Sequence, residues 1–294
     1  MKPLATLIVF LGIARSLSAA EPNNDRFAAL SNQYQYPVAI AVGIKLEQSQ
    51  ILPTGYKLVW QDEFDCDKLD TNKWSVRVGP RRENHIVAEA VSVKEGVLTI
   101  TTFTENGKHN TGYLWTKSKY EACYGYYEAR IRFNSTSGEW GAFWLNSPTM
   151  GKMIGDPAKA GVEIDIVEHR VRDGKGVDIA NSYPMTVHWD GYAKGVHKQI
   201  SSMSHTAPLQ GEWHTYGLLW TPDRYRFYLD GVEQWTTTKA VSQRSEYILL
   251  CCEIVTHEIE NIAWAGKIPE GGYGSRDASK TKMEVDYVRV YQQP

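Results

Sequence analysis

Three carboxylates fall within six residues of this chain, at Glu163, Asp165 and Glu168, and only Ile164, Ile166 and Val167 separate them. β-Branched residues suit a pleated, half-buried surface, so the stretch reads as a strand. Side chains alternate along a strand, which puts Glu163 and Asp165 on one face. Glu168 falls on the opposite face unless one extra residue is inserted ahead of it. A β-bulge at Ile166–Val167 supplies that residue, and bulges are over-represented beside active sites because they re-aim a side chain. A helix serves worse, since offsets of two and five scatter the acids around its circumference. The segment therefore asks for a sheet that gathers three acids on one surface.

Three uses of such a surface compete. Acids on an edge strand can simply face water. They can bind calcium, which takes carboxylate oxygens, although the Gly and Asn/Asp spacing of an EF-hand loop is absent. Or two of them can form a glycosidase pair, a nucleophile and an acid/base roughly 5–5.5 Å apart. The motif alone leaves these open.

Its surroundings narrow the choice. Ahead of it stand Leu58-Val59-Trp60-Gln61-Asp62-Glu63-Phe64-Asp65, Leu69-Asp70-Thr71-Asn72-Lys73-Trp74, Tyr124-Gly125-Tyr126-Tyr127-Glu128-Ala129-Arg130-Ile131 and Trp140-Gly141-Ala142-Phe143-Trp144-Leu145. Behind it follow Thr186-Val187-His188-Trp189, Trp213-His214-Thr215-Tyr216, Tyr228-Leu229-Asp230-Gly231 and Val285-Asp286-Tyr287-Val288-Arg289-Val290-Tyr291. In this order, over roughly residues 55 to 292, the segments resemble glycoside hydrolase family 16. The bulged spacing of the acids resembles its laminarinase- and agarase-like branch.

The resemblance implies an all-β fold, a β-sandwich jelly roll of two antiparallel sheets with an open concave substrate cleft. It implies an O-glycosyl hydrolase working by retaining double displacement, with Glu163 as nucleophile and Glu168 as acid/base. Asp165, between them, is expected to hydrogen-bond and orient Glu163. Trp140 and Trp144 lie four apart on one strand face; stacking platforms for sugars and ordinary core packing compete for both. His188 is expected near Glu168 or a substrate hydroxyl. Arg170 and Arg172 are expected to end the strand in a pair with Asp173. No cofactor is required; the resemblance admits a structural calcium near Glu63 and Asp286, at a site that relies largely on backbone oxygens.

Fold class is also legible without the resemblance. Short strand candidates recur between Gly, Pro and Asp/Asn punctuation, as in a sandwich. Tyr127, Ala129, Ile131 and Phe133 alternate with Glu128, Arg130 and Arg132, and Asp230-Gly231 between two strand-like runs is a strong hairpin signal. Long helical periodicity is absent. Two long segments, Asn146 to Gly161 and the Gly-rich Trp264 to Thr281, are expected at the cleft rims, since long loops in compact domains are commonly functional.

At the start, a basic residue, a short apolar run and the small residues Ser18 and Ala20 read as a secretory signal peptide over 1–20. Residues 21–54 read as an N-terminal lead segment and 55–294 as the catalytic domain. A formal charge of −2 without a basic block argues against nucleic acid as a partner. The expected protein is a monomer, secreted or periplasmic, with a polysaccharide and no membrane as partner. Four cysteines, at 66, 123, 251 and 252, allow up to two disulfides; Cys251 and Cys252 must face opposite ways and are read most simply as buried free thiols.

Substrate is the open question. A β-1,3-glucan of the laminarin type ranks first and a marine β-galactan (agar, porphyran or carrageenan) second. Two departures weigh on that order: Gly141 stands where a proline is common in the family, and Leu249-Leu250-Cys251-Cys252-Glu253 replaces an Asn- and Gly-rich strand. A lectin-like binder that does not cut sugar is the alternative from another class.

Overall fold

The alternation along Gly125–Asn134 is realised as one long strand, with Tyr127, Ala129, Ile131 and Phe133 buried in the core. In the computed structural model of the chain, residues 51–81, 84–204, 207–254, 258–259 and 262–293 are described. The expected signal peptide and nearly all of the lead segment lie outside them. Among the described residues no helix is long and apolar enough to cross a membrane.

Two eight-stranded antiparallel sheets form the sandwich. The first runs Val232–Thr237, Arg224–Leu229, Trp213–Thr221, Gly125–Asn134, Lys282–Gln292, Val97–Thr101 and Val91–Lys94, with Lys57–Asp62 pairing against Lys282–Gln292. The second runs Lys198–Met203, Pro184–Trp189, Glu163–His169, Glu139–Asn146, Glu246–Ile254, Tyr113–Trp115 and Ser75–Val76, with Glu121–Ala122 beside Glu246–Ile254. A small four-stranded sheet, containing Gly79–Arg81 and Asn84–Ile86, completes the framework. The fold is the all-β jelly-roll sandwich. Its expected hairpin is present: Asp230 and Gly231 both take positive φ (50° and 78°) between paired strands, the conformation a tight two-residue turn requires.

The core lies between the sheets. Phe143, Leu145, Ile164, Ile166, Val167, Val187, Leu250 and Cys252 project into it from the second sheet. Residues that alternate with these form a separate apolar cluster on the outer face: Trp140, Ala142, Trp144, Tyr247, Leu249 and Cys251. The neighbouring cysteines thus point to opposite faces, and Cys66, Cys123, Cys251 and Cys252 are all free thiols.

Gly141 has a packing reason. A Cβ there would lie 2.8 Å from the Phe133 ring and 3.3 Å from Met283 Sδ. Phe133 in turn stacks on the buried His169, with ring centroids 4.8 Å apart. A larger residue at 141 would push this stack out of register, so glycine is required by contact rather than by φ.

Candidate active site

Strand Glu163–His169 sits in the middle of the second sheet, between Glu139–Asn146 and Pro184–Trp189. Asn146 opposes Glu163, Trp144 opposes Asp165, then the register slips, and Phe143 opposes Val167 and Ala142 opposes Glu168. Ile166 is the extra residue of a bulge at the expected position. Ile166 and Val167 both enter the core, and the strand beyond them is reset by one residue. Glu163, Asp165 and Glu168 consequently share the outer face with Asn146, Trp144 and Ala142.

Although that face points away from the core, Glu163 is only 8% exposed and Asp165 4%, while Glu168 is half-buried. Loops wall it in. Segment 147–156 packs on segment 190–197, with Gly155 N donating to Asp190 Oδ1 at 2.8 Å. On the other side Trp264 sets its ring edge-on to Trp140 at 4.9 Å and under the Arg170 guanidinium at 3.7 Å. Of the two long segments expected at the rims, the first is there with residues 147–156 and the second with Trp264, while its Gly272 and Tyr273 meet Thr104 of the small sheet.

Burial sets the electrostatics. It pushes the Glu163 carboxyl up to about 7, helped by the negative charge of Asp165 and opposed by His188 and by the Tyr192 hydroxyl. Asp165 is raised by burial and by the charge of Glu253. Glu168 rises well above the usual carboxylate range, through burial first and then Asp165, against the pull of His188 and Arg170. Three mutually repelling acids crowded on a largely buried face cannot all ionise near neutral pH, so at least one proton is held there. That is what an acid/base pair needs.

Contacts differ in detail from the sequence expectation. Glu163 is held by Asn146, whose Nδ2 donates to Oε2 at 2.6 Å, and by the Tyr192 hydroxyl, which donates to Oε1. Asp165 does not supply a hydrogen bond to it; Asp165 Oδ2 faces His188 Nε2 at 3.2 Å instead. His188, opposite Glu163 in the neighbouring strand, stands beside Asp165 and also within electrostatic reach of Glu168. Trp140 (4% exposed) and Trp144 (7%) are on the same face as the acids but largely covered. Trp144 Nε1 donates to Cys251 Sγ at 3.3 Å, and its ring meets Tyr113 edge-on. As it stands, neither indole presents a free face for sugar stacking. Arg172 pairs with Asp178 at 3.0 Å, not with Asp173, whose Oδ1 accepts instead from the Lys175 and Val177 amides.

Asn146, Tyr192, His197, Trp264 and the Arg81–Glu253 pair complete the site and were not singled out from sequence. Arg81 grips Glu253 through two hydrogen bonds of 3.0 and 2.9 Å and lies over the Tyr113 ring. Asn146 was within reach, because it continues the period of two set by Trp140, Ala142 and Trp144.

A calcium fits poorly at the carboxylates the resemblance suggested. Glu63 is engaged by Arg289 through two bonds of 2.8 Å, and Asp286 by Arg130 at 2.7 Å. Glu163, Asp165 and His188 can each bring one ligand atom within 4.8 Å of the others, and two of the three are the acids of the candidate site itself.

Comparison with known proteins points to one family. The family model described as beta-porphyranase A-D, GH16 domain, matches residues 59–293. Beta-porphyranase E of Zobellia galactanivorans is 32% identical over 63% of this chain and 71% of its own length. Glucan endo-1,3-beta-glucosidase A1 of Niallia circulans is 26% identical over 81% of this chain, which spans only 38% of that protein. Among solved structures, SCLam, a non-specific endo-beta-1,3(4)-glucanase, is similar with a TM-score of 0.68 at 27% identity, over 89% of this chain and 99% of that one.

Proposed function

The chain belongs to glycoside hydrolase family 16, and from that membership we propose that it is a secreted, monomeric endo-β-glycanase cutting a marine β-galactan of the porphyran or agar type with retention of configuration. The observation that carries the catalytic reading is the bulge at Ile166, which puts Glu163, Asp165 and Glu168 on one buried face.

Glu163, ionised and oriented by Asn146, attacks the anomeric carbon while the protonated Glu168 delivers its proton to the departing glycosidic oxygen. The leaving chain diffuses away. Glu168, now a carboxylate, takes a proton from water, which displaces Glu163 and restores the starting state. Asp165 keeps its neighbours' proton affinities high by repulsion, and His188 opposes that effect through its own pull on Glu163 and Glu168. No metal is needed for any step.

Two findings support a galactan over the β-1,3-glucan ranked first from sequence. The matching family model is that of porphyranases, and a porphyranase shares 32% identity with this chain. The strand that departs from laminarinases also lines the site, with Tyr247, Leu249 and Cys251 on its outer face and Glu253 tied to Arg81. Laminarin-type glucan is the second reading, favoured by the likeness to endo-1,3-glucanases. A non-catalytic lectin fits worse, because a binder gains nothing from crowding three acids that cost free energy to bury.

The purified chain is offered porphyran, agarose, carrageenan, laminarin and lichenan, and new reducing ends are measured. Cleavage of porphyran or agarose is expected. Cleavage confined to laminarin or lichenan reverses the substrate order, and binding without cleavage of any polymer establishes the lectin reading.

A further inference from the structure

The 190–197 segment is built against Glu163 in a way the scheme above does not use. Tyr192 donates its hydroxyl to Glu163 Oε1 while the residue as a whole is 60% exposed, so the side chain arches over the carboxyl from the rim. The ring stacks on His197, centroids 4.9 Å apart and planes 28° apart. His197 Nε2 lies 2.9 Å from His188 Nδ1, and His188 Nε2 faces Asp165.

This loop is anchored rather than loose. Asp190, 1% exposed, accepts from Gly155 N and pairs with Lys198 at 2.9 Å. Gly191, at φ 73°, lets the turn pass so close to Gly151 that an added Cβ would sit 3.1 Å from its Cα. A fixed loop can hold a donor in one place.

Proton positions follow from the contacts. One proton serves the contact between the two imidazoles, so one ring donates there and the other accepts. Burial and the charge of His188 lower the His197 proton affinity, in keeping with a neutral ring there. Desolvation of its hydroxyl end and the charges of Glu163 and Asp165 push the Tyr192 phenol far up, so it stays a donor.

We propose that Tyr192 and His197 are a positioning pair for the nucleophile: Tyr192 holds Glu163 ionised and aimed, and His197, hydrogen-bonded to His188, fixes the Tyr192 ring. The inference rests on Glu163 being the nucleophile. A hydrogen bond to the charged form favours that form, so its removal raises the Glu163 proton affinity.

Tyr192→Phe keeps the stack and deletes the donor. The expected kcat loss is about 10- to 100-fold, as for hydrogen bonds to charged groups, with KM changed less than about twofold. The acid limb of kcat/KM moves to higher pH, while the melting temperature stays at the wild-type value. His197→Ala loses less, and the double variant loses less than the product of the single losses, as coupled residues do. An unmoved acid limb with wild-type kcat in Tyr192→Phe, or single losses that simply multiply, overturns the pair. Labelling with an activated 2-deoxy-2-fluoroglycoside separates this from the functional reading. A label on Glu163 with an unmoved limb removes the positioning role alone, whereas a label on another residue removes the nucleophile assignment and the pair with it.

Discussion

On the outer face of the first sheet, three acids are matched to arginines, while the buried Glu128 accepts from the hydroxyls of Tyr126 and Tyr287. Arg132 takes Glu284 at 2.8 and 2.9 Å, Arg130 takes Asp286 at 2.7 Å and Arg289 takes Glu63, with Trp213 lying 4.9 and 4.8 Å from the guanidinium carbons of Arg130 and Arg132. On the outer face of the second sheet, Glu163 meets an amide and a phenol, and Asp165 meets an imidazole. Both faces alternate polar with apolar residues and both are antiparallel. The difference is that these three pairs neutralise their charge at the surface, where such pairs are worth little and do no chemistry. The second face buries its acids among weaker partners, which raises their proton affinity and makes them reactive.

Replacing acids on the second face gives the largest effects. Glu163→Ala is expected to reduce turnover to background, with azide restoring it on an activated glycoside as the inverted glycosyl azide. Glu168→Gln is expected to cost about 10²- to 10⁴-fold in kcat on natural polymer, the span of general acid–base catalysis. The same variant loses far less on a substrate whose leaving group needs no proton. Steady-state kinetics on both substrate types separates the two roles.

A middle-sized effect concerns pH. Removing the Asp165 charge by Asp165→Asn lowers the proton affinities of Glu163 and Glu168, so both limbs of the kcat/KM profile move to lower pH. Stability follows the same linkage. A carboxyl whose folded pKa is raised contributes stability that is present below its unfolded value and lost as pH rises through the folded one. Asn has no such proton to lose. The melting temperature of Asp165→Asn relative to wild type therefore rises between pH 5 and pH 8, as differential scanning calorimetry can show.

The smallest effect belongs to the first face. Arg132→Ala breaks a half-exposed bidentate pair and is expected to cost about 1 kcal/mol or less in denaturant unfolding, with kcat unchanged. A large loss of activity there would blur the distinction between the two faces.

How much of this was legible in sequence depends on the range of the interaction. The bulge could be read because three acids and three β-branched residues in one strand leave few ways to satisfy both faces, and the register slip falls at Ile166 as that argument requires. The core pattern of Gly125–Asn134 could be read because alternation is local. Tyr192 could not, because it reaches Glu163 through a turn whose path is set by Gly191 meeting Gly151, 40 residues earlier in the chain. Arg81 and Glu253 are 172 residues apart and meet only in the folded sheet. For Arg172 the nearest acid in sequence was the wrong partner, since Asp173 is occupied by amides of its own turn. The two tryptophans were placed on the right face, yet their cover by Trp264 and Tyr113 comes from segments the strand pattern does not mention.

A single kink at Ile166 turns the last acid onto the face of the first, the arrangement that double displacement needs. Proton NMR of the anomeric signals in the first minutes of digestion tests it most directly. Retention predicts that the new reducing ends appear as the β-anomer and only later equilibrate; initial appearance of the α-anomer would contradict it.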